Sequence, residues 1–294
     1  MLKDARDYQI VFLTLFLGLG VAMRDWSLRP EMIGTAVGVA IAVQFICSIA
    51  SSQATVTLSR WVGYQPQFQW PAFNWRSPLI TALGLSLLLR TDHVATMAVA
   101  ATAAIVSKFL FKTEDKHFFN PANFGIIAAL LLTQDAWISP GQWGEDMWYG
   151  FIFLGAGGLV LKRVGRWDTT VMFLGCYALL EALRNAYLGW TWDVFSHRMM
   201  SGSLLLFALF MVTDPRSIPN ARPARLLWAG AIALLTFVLR NQFYLTTAVF
   251  WALFALAPLT ILLDKAWAAP RFEWRRWVRV SEDLPSNNGS KSLA

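Results

Sequence analysis

Three short stretches hold most of the side chains in this 294-residue chain that are able to do chemistry. The first is KHFFNPANFG, residues 116–125, which sets Lys116, His117, Asn120, Pro121 and Asn123 between two apolar runs. Pro121 suits the first turn of a helix, where its missing N–H costs no hydrogen bond, and Asn120 suits the capping position before it. A helix start leaves backbone N–H groups free, and these attract anions and carbonyl oxygens. Two amides at that spot exceed what a polar turn needs. They fit a ligand that presents carbonyl oxygens, such as a flavin ring or a quinone. The second stretch is MVTDPRSIPNARPAR, residues 211–225, where Thr213-Asp214 closes an apolar run and Pro215 stops it. Asp214 beside Arg216 reads equally well as a surface ion pair. The third is SPGQWGEDMWYG, residues 139–150, with Glu145 and Asp146 and no Lys or Arg. It is either a plain acidic loop or the edge of a site on its own face.

The elements that must position these stretches are apolar. Hydrophobic residues make up 56% of the chain and charged residues 15%, with 15 Trp and 21 Phe. A soluble domain carries about 25% charged residues, so the chain reads as a polytopic membrane protein. Ten apolar runs fall near residues 10–23, 32–50, 79–89, 94–111, 122–132, 148–161, 171–186, 199–212, 226–239 and 243–263. A full span takes about 20 residues, so the third and fifth are short, and short segments are where membrane proteins build sites. Trp residues near the run ends read as an interfacial belt. The first run, although preceded by Lys3 and Arg6, is not closed by a small-residue cleavage site and reads as a retained helix. With ten spans, 19 of the 25 Lys and Arg lie on the side of the N-terminus. The positive-inside rule then places both termini and KHFFNPANFG in the cytoplasm, and the loop with Glu145 outside.

Residues 1–268 form one membrane domain, with 51–77 as an interfacial cytoplasmic connection and 269–294 as a basic, then disordered, cytoplasmic tail. A weak internal echo joins the halves: SPLITALGLSLLLRTD ends in Thr91-Asp92 and SGSLLLFALFMVTD in Thr213-Asp214, after the third and eighth runs. Five-plus-five spans make the second half inverted by parity, an arrangement that puts sites at the repeat interface. Glu181 and Arg184, three apart on the seventh run, are placed to neutralise each other.

Several functions are disfavoured. The net charge of +7 is spread along loops and is not interleaved with stacking aromatics, which argues against nucleic acid. The two cysteines, Cys47 and Cys176, lie in apolar runs without a Cys-x-x-Cys motif, so no metal or disulfide framework is expected. No catalytic acid, base or nucleophile is expected either, and the residues singled out are binding residues.

Together, KHFFNPANFG, PGQWGED with the Gly-rich run and KRVGRW after it, and SGSLLLFALFMVTDPRS leading to LLTFVLRNQFY resemble a known family. It is the RnfD/NqrB family, membrane subunits of Rnf-type electron-transport complexes and of the sodium-pumping NADH:quinone reductase. The likeness runs over about residues 10–265. The resemblance implies an all-α fold of about ten transmembrane helices in two inverted five-helix halves, similar to urea transporters. It implies a multi-pass protein of the bacterial inner membrane, flavin as cofactor, and membrane or soluble redox subunits, with quinone, as partners. The family attaches FMN through the Thr of a Ser-Gly-Ala-Thr motif after the fifth span. Here that loop, TQDAWISPGQWGED, lacks the motif and keeps only Gly141–Glu145 of a Gly-x-x-Gly-Glu stretch. A noncovalent riboflavin or FMN is therefore expected. His117, Asn120, Asn123, Thr213, Asp214 and Glu145 are the candidate contacts. Two alternatives stand beside this one. One is a small-solute channel on the same scaffold, for which few mid-span polar residues (Gln44, Ser86, Glu181) speak. The other is a cofactor-less accessory subunit of a larger membrane complex.

Overall fold

The computed structural model describes residues 4–24, 27, 29–61, 70, 74–113, 116–139 and 147–274. Glu145 and the tail from residue 275 onward lie outside these residues. The chain is predominantly helical. α1 (Ala5–Leu19) opens on an Asp4 cap and continues into one turn of wider, π-type helix over Gly20–Arg24. α2 (Pro30–Trp61), α3 (Arg76–Leu88), α4 (Val94–Leu110) and α5 (Pro121–Leu132) complete the first half. α2 absorbs residues 51–61, the start of the connection expected at the interface. The second half holds α6 (Met147–Val164), α7 (Trp167–Tyr187), α8 (Trp192–Met199), α9 (Gly202–Leu206) with a π-type turn at Phe207–Met211, α10 (Arg222–Asn241), α11 (Ala248–Leu256) and α12 (Leu259–Ala266).

Among the described residues three helices are long and apolar enough to cross a membrane: Ala5–Ala22, Pro30–Ala54 and Arg222–Asn241. Two further spans arise only if broken pairs are joined, α8 with α9 and its π turn, and α11 with α12, each bent by 49°. Pro258, just before α12, accounts for the second break, because proline cannot donate the helical hydrogen bond. α3, α4 and α5 are apolar but short.

The helices agree with an all-α chain. Two short antiparallel ribbons join the helix ends. β1 (Leu89–Thr91) pairs with β4 (Ala136–Ile138), and β2 (Lys112–Thr113) pairs with β3 (Lys116–His117). Runs of two or three residues are too short to leave an alternating signature in sequence.

Small residues set the packing. Ala36 and Ala40 on α2, Ala100 and Ala104 on α4, and Ala229 and Ala233 on α10 are each four apart and fully buried. Such stripes let helices approach closely where lipid offers no hydrophobic drive. At Gly125 on α5 an added Cβ would lie 2.5 Å from the Ala100 carbonyl oxygen and 2.8 Å from the Ala104 Cβ, so α4 and α5 touch backbone to side chain there. α4 packs on α2 and α5, and α10 packs on α7 and α11. α1 lies against α3 and α6, and α5 against α11.

Candidate functional site

The face where α1, α3 and α5 begin and α4 ends gathers the polar stretches. α5 starts as its sequence dictates: the Asn120 side chain accepts the Asn123 N–H at 3.0 Å, with Pro121 in the first turn. The Asn120 amide then donates to the Met211 carbonyl oxygen at 3.2 Å, bonding the first half to the end of the broken eighth run. The β2–β3 ribbon holds His117 so that its Nε2 lies 3.5 Å from the Asp214 carboxylate. KHFFNPANFG and MVTDPRS, far apart in sequence, thus form one wall.

That wall borders a cavity of about 340 Å³ between the halves. His117, Asn120, Thr213 and Asp214 line it. Leu13, Leu87, Leu209 and Phe210 give it an apolar depth, while Arg6, Lys112, Arg216 and Trp274 are among its polar and aromatic lining. Arg6 is held by Asp4 at 2.6 Å and packs over the Trp274 ring at 5.0 Å. Burial pushes the Asp214 carboxyl up. The hydrogen bond and charge of His117 outweigh it, helped by the Arg216 backbone N–H, and hold the carboxyl below its usual range.

Asn123 and Thr213 depart from the expectation. Asn123 does not line the cavity. It is buried, and its amide donates to the Phe250 carbonyl oxygen at 3.1 Å, which docks α5 on α11. Thr213 lines the cavity, but its hydroxyl donates to the Leu209 carbonyl oxygen at 2.8 Å, leaving only acceptor capacity. Glu145 lies outside the described residues, so the structure does not place it. Asp214 turns its carboxylate to His117 and to the Arg216 backbone N–H.

Sequence reasoning missed Lys108. It sits in the last turn of α4, lines the cavity, and donates to Ser77 Oγ at 3.1 Å and Gln44 Oε1 at 3.4 Å. A lysine two residues from a helix end reads as a loop charge. Its partners come from α2 and α3, which no local signal reveals. A second polar cluster lies beside the cavity wall. Lys116 Nζ donates to the Ile218 carbonyl oxygen at 2.6 Å and to Asp264 at 2.5 Å, and burial lowers its ammonium below the usual range.

The expected pair of Glu181 with Arg184 is not formed. Glu181 is 2% exposed and accepts from Arg198 on α8 at 2.8 Å and from Asn241 on α10 at 2.9 Å. Arg184 instead lies over the Trp190 ring at 4.7 Å. Tertiary partners from two other helices win over the spacing on one. Among the described residues no group of three His, Cys, Asp or Glu side chains is arranged to hold a metal ion.

Residues 133–272 match the model of the NQR2, RnfD, RnfE family. Over these residues the chain is similar to that family. Among curated relatives, the chain is similar to the D subunit of the ion-translocating oxidoreductase complex of Stutzerimonas stutzeri. It is 32% identical over 114 residues, 39% of this chain and 32% of that one. The corresponding protein of Actinobacillus pleuropneumoniae serotype 5b is 30% identical over 105 residues, 35% and 30% of the two chains. That of Tolumonas auensis is 24% identical over 221 residues, 71% and 62%. The chain spans about a third of the length of the first two relatives and 62% of the third. The match to the family model takes in Thr213, Asp214 and the broken helices, and begins after Asn120.

Proposed function

We propose that this protein is the membrane subunit of a bacterial electron-transfer complex and holds a noncovalent flavin, riboflavin or FMN, in the cavity between its halves. The observation that carries the reading is the convergence of His117, Asn120 and Asp214 on one wall of a 340 Å³ cavity with an apolar depth. Cofactor sites run from about 300 to 1,000 Å³, and this cavity falls in that range, with apolar side chains facing a wall of polar ones. The names of the relatives, D subunits of ion-translocating oxidoreductase complexes, support membrane redox subunits as its partners. Soluble redox proteins and quinone belong to the same proposal.

A bound flavin supplies one- and two-electron transfer. The chain's own residues do the rest. Asn120 keeps a second amide N–H and a second lone pair after its two structural bonds, enough to orient a carbonyl edge. Leu87, Leu209 and Phe210 exclude water from the depth of the cavity. Asp214 and His117 fix each other at the wall.

The same proposal takes the architecture as ten spans in two inverted halves, in the bacterial inner membrane, with both termini cytoplasmic. Packing supports the repeat: α2 on α4 answers α7 on α10, α4 on α5 answers α10 on α11, and α1 on α3 answers α6 on α9. Capping supports it too. Asp135, after α5, accepts the N–H of His93 before α4 at 3.0 Å, and Asp264, in α12, accepts the N–H of Asn220 before α10 at 2.7 Å. The test is flavin content. Purified Asn120→Ala/Asp214→Ala protein should lose most of its acid-extractable flavin relative to the unmodified protein. Equal flavin in both refutes the site.

A further inference from the structure

Lys108 is a half-buried amine with no carboxylate beside it among the described residues. Its ammonium has three N–H donors, and the two contacts it makes, to Ser77 Oγ and Gln44 Oε1, are to neutral oxygens. Gln44 is itself aimed, because its amide donates to Ser48 Oγ at 3.3 Å and so turns its carbonyl oxygen to Lys108. Among the described residues no carboxylate lies within ion-pair distance of Lys108. A charge inside a membrane protein is costly, faces the interior or a cavity, and is kept where it meets a partner or a ligand. Lys108, Gln44 and Ser77 all line the same cavity. A second observation points the same way. Asp214, which lies 3.5 Å from His117, is the one carboxylate among the cavity's described lining, so that lining supplies no other anion for Lys108.

We propose that Lys108, aimed by Gln44 and Ser77, binds the carbonyl edge of the flavin ring and favours its reduced, negatively charged form over its oxidised, neutral one. This deepens the flavin reading and rests on it. A partner redox protein delivers two electrons and one proton to the neutral ring. The product carries one negative charge on its carbonyl edge, no bond to the protein forms, and the protonated form of Lys108 is the one that pairs with it. Charge near that edge is one of the means by which a protein tunes a flavin. Lys108 therefore acts as a binding residue that discriminates between redox states.

The experiment uses the full chain in detergent with riboflavin as probe, comparing the unmodified protein with Lys108→Met and Lys108→Arg. Fluorescence quenching gives the affinity for oxidised riboflavin, and anaerobic dithionite titration followed by absorbance gives the midpoint potential. Lys108→Met is expected to keep oxidised affinity within about threefold and to weaken the reduced form at least tenfold. For a two-electron couple each tenfold loss of reduced-form affinity relative to the oxidised form lowers the potential by about 30 mV. Lys108→Arg is expected to retain the higher potential. If the Met variant does not purify as a single species, Lys108→Gln removes the charge while keeping a hydrogen-bonding group and reads the same difference. An unchanged potential in the neutral variants overturns the role of Lys108 and leaves the flavin reading standing. Absence of riboflavin binding by the unmodified protein overturns the flavin reading, and this inference with it.

Discussion

Asn120 makes two bonds with different jobs, and substitution can separate them. Its Oδ1 caps α5 by accepting the Asn123 N–H at 3.0 Å, and its amide donates across the halves to the Met211 carbonyl oxygen at 3.2 Å. Asn120→Ala removes both. Loss of a helix cap costs about 0.5–2 kcal/mol. The Met211 carbonyl keeps the Asp214 N–H at 3.2 Å, so losing the Asn120 bond costs the net value of one hydrogen bond, about 0.5–1.5 kcal/mol. Asn120 is 6% exposed, so water replaces neither bond fully, and the combined loss comes to about 1–3.5 kcal/mol. Asn120→Ser keeps a capping oxygen but is too short to reach Met211, so it should lose only the second part. SDS titration of the protein in mixed micelles, followed by circular dichroism, gives the unfolding free energies. The expected order is unmodified, then Ser, then Ala. Equal stabilities for Ser and Ala would refute the capping role. An Ala variant within about 0.5 kcal/mol of the unmodified protein would refute the pair of roles, since the two losses together come to at least about 1 kcal/mol.

Three further outcomes follow from the same geometry. Gly125→Val should force α4 and α5 apart and cost about 1–3 kcal/mol or more in the same titration, because even a Cβ meets the Ala100 oxygen at 2.5 Å. Asp168 and Arg225, each about 5–6% exposed and 2.7 Å apart, form a buried pair, with Arg222 farther off at 3.8 Å. Arg225→Met should cost about 3–5 kcal/mol, and Asp168→Asn added to it should recover part of that loss. Asp214 is held below its usual range in the folded protein, so its stabilising contribution is full above about pH 4 and lost as pH falls through its depressed folded value. Thermal unfolding between pH 3 and 6 should show that acid loss, and His117→Phe should move it to higher pH.

What was legible in the sequence was local. Asn120 and Pro121 announce a helix start by chemistry that needs no distant partner, and α5 begins there. The sequence put His117 and Asp214 on one side of the membrane, but they become a contact only through the β2–β3 ribbon. Lys108 was not legible, because its significance lies in Gln44 on α2 and Ser77 on α3. Glu181 shows the same limit, as its partners Arg198 and Asn241 stand on other helices. Thr213 shows a subtler one. A hydroxyl at a helix end is readily taken by the carbonyl four residues back, here Leu209, and sequence does not say whether it is free for a ligand.

The central claim is that the cavity holds a flavin without a covalent bond. The most direct measurement is an absorption spectrum of the detergent-purified protein from riboflavin-replete cells, before and after acid precipitation. The account predicts flavin bands in the native protein and yellow colour released into the supernatant. A colourless protein, or colour retained in the pellet, would contradict it.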